Sequence, residues 1–168
     1  GGEYGRLSEL WLQYYENGWG QEVTSSKPPL VRVLPILKAI DTGTAVLPFD
    51  QVYDYLDKAE IIAVGHCPCR LISRRCQAPT ETCMYSGAIA RFLIDRGGAR
   101  QICKAEAVNI LRRSEDAGLV HCASNTADRI DVICNCCPCC CLNLRAIIEW
   151  KGTSRPVSSL NSLINEAE

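Results

Sequence analysis

The chain has 168 residues, 47% of them apolar with cysteine included and 22% charged, and its net charge is −1 at neutral pH. That much apolar material is enough for one modest core and argues against intrinsic disorder. The balance of 18 basic against 19 acidic side chains argues against a surface that holds nucleic acid or membrane by charge.

Taken along the chain, residues 6–17 carry Leu7, Leu10, Trp11 and Tyr14 at helical spacing and predict an amphipathic helix. Residues 18–29, rich in Gly, Ser and Pro, predict a loop, and 30–34 a strand. Val52, Tyr55, Leu56 and Ala59 give one apolar face to a helix over 50–60. Residues 61–64 predict a short buried strand that runs into His66-Cys67-Pro68-Cys69-Arg70. Tyr85, Ala88, Ile89, Phe92 and Leu93 then recur at helical spacing, with Gly97-Gly98 as the stop. A further helix is predicted over 104–117, with Ala107, Ile110, Leu111 and Ser114 on one face. Cys103 stands in its capping position, Glu106 follows three residues later, and Gly118 ends it. Strands are predicted from 119 and over 130–133, the second running into another cysteine turn, and residues 142–150 predict a helix. No run is long and apolar enough for a membrane span, and no signal peptide is visible. The chain opens on Gly1-Gly2 without an initiator methionine and reads as a fragment or processed chain. The expected organisation is an arm over 1–29, a domain over 30–153, and a tail or linker to a missing module over 154–168. The expected fold class is α+β, with short helices packed on a small mixed sheet and the cysteine turns clustered at one end.

Twelve cysteines decide most of the chemistry. Cys134, Cys136, Cys137, Cys139, Cys140 and Cys141 fall within eight residues, and Cys67, Cys69, Cys76 and Cys83 form a looser series. A disulfide framework is disfavoured, because neighbouring cysteines in one tight run cannot reach the Cα separations and Cβ directions a cystine needs. Thiolates crowded this closely repel one another and stay protonated unless a cation or cluster compensates them. Iron–sulfur clusters, zinc and copper(I) all meet that description. Cys103 and Cys122 stand alone and read as packing cysteines. Each turn contains Cys-Pro-Cys, and proline restricts the geometry of the flanking thiols. In extended chain, residues two apart point to one side, so Cys67 and Cys69 can address one centre, as can Cys134 and Cys136.

At these residues the sequence resembles a family of anaerobe iron–sulfur proteins labelled 4Fe–4S ferredoxin or 4Fe–4S-binding proteins. The resemblance rests on His66-Cys67-Pro68-Cys69-Arg70, Cys76 and the 78–83 stretch, then Glu106-Ala107 and Gly118-Leu119-Val120-His121. It ends with the unusual run from Ile133 through Cys141, and covers about residues 30–150. Pro138 departs from the Gly or Ser of many relatives. The ferredoxin run C-x2-C-x2-C-x3-C-P, into which relatives commonly continue, is absent here, so such a module would lie beyond Glu168 or on another subunit.

Residue pattern and resemblance together imply one 4Fe–4S cluster, with two possible, since a cubane takes four thiolates. Cys67, Cys69, Cys76 and Cys83 supply one set. Cys134, Cys136, Cys137 and Cys140 supply the second, with Cys139 and Cys141 as further cluster-binding candidates. Exchange between the groups is open. The expected role is one-electron transfer to a redox partner protein or subunit in the cytoplasm of an anaerobe. No paired carboxylates, Gly-x-Ser-x-Gly, phosphate-binding loop or dinucleotide fingerprint supports an enzyme. Arg70, Arg74 and Arg75 either raise the cluster potential or form a solvated face, and His66 and His121 read as non-ligands. Two alternatives stand beside this reading. One is a zinc- or copper-binding structural module. The other is a metal- or redox-sensing regulator in which residues 104–120 resemble part of a winged helix, with Arg112-Arg113 near phosphate.

Overall fold

The computed structural model describes residues 2–25, 31–33, 52–124 and 130–150. Six strands form one sheet in the order β1-β5-β6-β3-β2-β4. They are β1 (Val31–Val33), β2 (Ile62–His66), β3 (Glu81–Ser86), β4 (Arg100–Ile102), β5 (Val120–Ser124) and β6 (Val132–Cys136). The helices are α1 (Gly2–Tyr14), α2 (Gly20–Ser25), α3 (Val52–Lys58), α4 (Pro68–Ser73), α5 (Gly87–Asp95), α6 (Lys104–Asp116) and α7 (Leu142–Trp150), with a π-helical turn at Tyr15–Trp19. The class is α+β, with the cysteine turns together at one end of the sheet.

The sheet is antiparallel at every pairing rather than mixed. The reason is local: α4 stays at the end of the sheet where β2 stops, so the chain turns back beside β2 instead of crossing over it. The segment 81–86 is extended although Tyr85 fits a helical repeat. Its alternating Cys83, Met84 and Tyr85 pair with β2 on one side, and Met84 and Tyr85 pair with β6 on the other, which outweighs local propensity.

One face of the sheet carries the apolar core. Ile62, Val64, Met84, Ile102, Ala123 and Ile133 point to it, as strand alternation requires, and meet Val52 and Leu56 of α3 and Ala107, Ile110 and Leu111 of α6. Each fully buried Ile or Leu here contributes roughly 1.5–3 kcal/mol. Gly118, at φ +70, ends α6 in the left-handed region that glycine tolerates. The buried face of α6 is the one the 3.6-residue period indicates: Ala107, Ile110, Leu111 and Ser114. For α5 the period misleads. Ala90 is its buried residue, while Ile89 and Phe92 are exposed and Arg96 lies over the Phe92 ring at 4.5 Å. Residues 151–168, which include the expected tail, lie outside the described residues, as do 26–29 of the expected loop and residues 30 and 34 of the expected strand.

Gly65 of β2 marks a close approach. A Cβ there would stand 2.8 Å from the Gly98 carbonyl oxygen and 3.3 Å from Tyr85 Cε2. Gly65→Ala is expected to lower unfolding stability by about 1–3 kcal/mol, the usual cost of overpacking, as read by chemical denaturation.

The N-terminal helices pack on two others, α1 against α4 and α2 against α7. Leu7, Leu10 and Tyr14, the face expected to be buried, are exposed. Tyr15 is fully buried instead, because the π-helical turn rotates it inward. Its hydroxyl donates to the Leu142 carbonyl at 2.6 Å, and the Arg145 guanidinium sits 5.1 Å from its ring centre. Trp11 and Trp19 pack beside it, 5.1 Å apart. Tyr15→Phe is expected to cost about 0.5–1.5 kcal/mol, the usual net worth of one hydrogen bond, with chemical denaturation as the measurement.

Candidate metal centre

β2 and β6 both pair antiparallel with β3, which lies between them. They therefore run in one direction and end at the same edge of the sheet. Cys67 follows β2 and Cys137 follows β6, so the two cysteine turns, far apart in sequence, emerge side by side. Each turn feeds a helix. Leu71 N–H donates to the Cys67 carbonyl at 3.1 Å at the start of α4, and Arg145 N–H donates to the Cys141 carbonyl at 2.8 Å at the start of α7.

Strand alternation adds thiols to the same place. Cys122 of β5 stands opposite Cys134 of β6, both on the side away from Ala123 and Ile133 of the core. Cys136 lies two residues beyond Cys134, and Cys83 of β3 is in contact with Cys134. The result is a closed ring of six sulfur neighbours: Cys67, Cys69, Cys141, Cys136, Cys134, Cys83 and back to Cys67. Cys122 touches Cys136 from beside the ring. The ring lines a cavity of about 220 Å³, walled also by Val31, Tyr85 and Val132.

The thiols of the ring are shifted in alternate directions. Hydrogen bonds from Cys69 and Cys83 bring Cys67 down to about 2. Those from Cys136 and Cys69 bring Cys141 down to about 3, with the first amides of α7 adding to the effect. Cys136 and Cys83 hold Cys134 well below the ordinary thiol range. The thiols between them shift the other way. Contact with Cys141 and Cys67 raises Cys69, contact with Cys134 and Cys67 raises Cys83, and contact with Cys122, Cys134 and Cys141 raises Cys136. Lowered and raised thiols thus alternate around the ring.

A cation stands against this charge. Arg70 is 3% exposed. It donates through Nη1 to the Asn135 carbonyl at 2.9 Å and to Cys137 Sγ at 3.7 Å, and through Nη2 to Thr82 Oγ1. Its Nε has no partner among the described residues. Burial opposes its charge, yet Cys67, Cys137 and Cys83 outweigh that and raise its pKa. Arg70 makes no ion pair with a carboxylate among the described residues, so the thiolates are its counter-charge. Behind Arg70, Asn135 Nδ2 donates to the Thr82 carbonyl at 2.5 Å, and His121 Nδ1 donates to Asn135 Oδ1. Burial lowers the His121 pKa, so its ring is neutral. Thr82 occupies the β-bulge where the β2–β3 register slips between Gly65 and His66, which frees its carbonyl for Asn135.

A second group lies alongside. The sulfur atoms of Cys76, Cys137, Cys139 and Cys140 are all within 4.8 Å of one another. Cys76 is 3.7 Å from both Cys137 and Cys140, and Cys139 is 3.8 Å from Cys140. Leu119 and Ala78 pack against the group. This group can hold a metal ion. A groove of about 820 Å³ between α1 and α4, lined by Leu7, Trp11, Pro68, Arg70, Leu71 and Cys76, leads to it from the surface.

Grouping the thiols by sequence proximity does not match this arrangement. Cys67, Cys69 and Cys83 share the ring with Cys134, Cys136 and Cys141, whereas Cys76 leaves its neighbours for Cys137, Cys139 and Cys140. The cause is the left-handed turn at Arg74 (φ 52), which ends α4 and swings the chain toward the second cysteine turn. Cys139, outside the expected ligand set proper, is in the four-thiol group. Cys122, read as a packing cysteine, lies against the ring; the antiparallel register that puts it opposite Cys134 leaves no signal in the sequence. Cys103 is exposed, and none of the twelve cysteines is in a disulfide. His66 bonds Thr80 Oγ1 at 3.0 Å rather than joining the thiols. Arg74 and Arg75 face outward, Arg75 toward Glu149 and Glu16. Of the three arginines, only Arg70 meets sulfur. No helix among the described residues is long and apolar enough to cross a membrane.

Against known proteins, no family model, no curated sequence and no solved structure matches this chain.

Proposed function

We propose that this protein is an iron–sulfur electron carrier, or the corresponding part of a larger redox enzyme. In this reading a 4Fe–4S cluster is held by thiolates of the ring, drawn from Cys67, Cys69, Cys83, Cys134, Cys136 and Cys141. The observation that carries it is the ring itself: six convergent thiols around about 220 Å³ with a buried guanidinium against them. A single ion needs no such space, since a cavity of roughly 10–15 Å³ already admits a water molecule. A polynuclear centre does need it. Bound there, a cluster supplies one-electron exchange. The chain's own residues do the rest. Arg70 offsets thiolate charge and favours the reduced state, its unpartnered Nε offers one more donor, and the apolar walls of Val31 and Val132 limit water. Electrons pass to or from a separate redox protein.

Purification without oxygen is expected to yield a brown protein containing iron and acid-labile sulfide in about equal amounts. Reduction with dithionite is expected to give a paramagnetic resonance signal of a reduced cluster. Metal without sulfide would remove this reading.

A further inference from the structure

We infer that the sulfur assembly forms two centres of different nuclearity, and that Cys76, Cys137, Cys139 and Cys140 hold a single tetrahedral ion of the zinc class beside the ring. The inference deepens the proposed function, and its four-thiol half also stands without it.

Spacing separates the two. Metal–sulfur bonds of about 2.3 Å at tetrahedral angles place the four sulfurs about 3.8 Å apart. Three of the separations here are 3.7, 3.7 and 3.8 Å, and no pair exceeds 4.8 Å. A cubane inserts four irons and four sulfides among its thiolates and spreads them beyond that. The four-thiol group is too tight for a cluster and fits one ion. The ring is the reverse, with its six sulfurs around an open interior.

The donor set points to the ion class. Four thiolates in a tetrahedron, with no position left for substrate, are the pattern of a structural zinc site. The ion would tie Cys76 to a turn 61 residues away, and Ser73 Oγ already donates to the Cys140 carbonyl at 3.3 Å across the same junction.

This assignment explains the crowding of the 134–141 run. Its cysteines divide three and three: Cys134, Cys136 and Cys141 go to the ring, and Cys137, Cys139 and Cys140 go to the tetrahedron. Cys136 and Cys141 flank the tetrahedral ligands directly. Closing the tetrahedron around Pro138 therefore sets the positions from which those two reach the ring. Cys137 also borders the ring cavity and accepts from Arg70, so the two centres adjoin there.

The test uses the whole chain purified without oxygen, with zinc, iron and sulfide quantified per chain. The expected result is about one zinc alongside the iron and sulfide. Cys76→Ser and Cys139→Ser, made separately in case one fails to fold, are expected to lose the zinc. Cys134→Ser is expected to keep it while losing iron and sulfide. Cobalt(II) supplied to the wild-type protein should give the intense visible bands of a tetrahedral thiolate site, and these should vanish in both tetrahedral variants. Equal loss of zinc in Cys134→Ser and Cys76→Ser would overturn the division, as would a wild-type protein that binds neither zinc nor cobalt in that geometry. Zinc without sulfide in the wild type would instead sink the iron–sulfur reading of the ring and leave the tetrahedral site standing.

Discussion

Arg70→Met is expected to be the most damaging single change outside the cysteines. The guanidinium is buried, its two Nη atoms hold Asn135, Thr82 and Cys137, and the thiolates are its charge partners. Removing one member of a buried charge assembly costs about 3–5 kcal/mol. In a chain of this size that lowers the melting temperature by roughly 10 °C. If the ring holds the proposed cluster, the thiolates left behind repel one another, so iron retention should fall, and whatever cluster remains should have a more negative potential. Arg70→Lys keeps the charge but loses the fork that reaches three acceptors, and is expected to fall between methionine and wild type. Melting curves, iron content and a redox titration check this. A methionine variant that loads fully and keeps the wild-type potential would show that Arg70 only fills space.

Removal of metal is expected to have the next largest effect, and an uneven one. Ring and tetrahedron both stand where β2 and β6 end, and they link β3, β6, α4 and the two cysteine turns. Without metal, ten thiols must share that space as a strained mixture of thiols and thiolates. Binding free energy at such sites is in large part folding free energy. Chelation under reducing conditions should therefore cost about 4 kcal/mol or more, as for any ligand present well above its dissociation constant. The near-ultraviolet circular dichroism of Trp11 and Trp19 should fade, because their support runs through Tyr15 to Leu142 at the start of α7. The helical signal of α6, which rests on Ile110 and Leu111 in the core, should persist. Stripping should be easier in mild acid, since protons compete with metal for thiolates. Equal melting temperatures with and without metal would contradict the whole account.

The α6 face was legible because a helix packed on one side must repeat every 3.6 residues, and Ala107, Ile110, Leu111 and Ser114 do so without a competing signal. The α5 face was not, because Ile89 and Phe92 keep the same period while facing solvent. An apolar residue on the surface costs too little for the pattern to forbid it. Extended chain at 81–86 was hidden for a related reason: its stability comes from β2 and β6, one before it and one well after it in sequence. The N-terminal helix shows the same limit. Leu7, Leu10 and Tyr14 mark a face, and a single π-helical turn hands the burial to Tyr15 instead.

Thiol density alone points to residues 67–83 and 134–141 as the place where a metal could be held, because a soft cation is what compensates many sulfurs in a short run. That conclusion is a matter of composition and spacing, which the linear chain carries in full. Which sulfur joins which centre is a matter of direction. It depends on β2 and β6 flanking β3, on the hairpin register that sets Cys122 against Cys134, and on the left-handed turn at Arg74 that sends Cys76 across to Cys137. Those directions arise only when distant strands pair, since the side of a strand on which a thiol emerges is decided by its partners rather than by its neighbours in sequence.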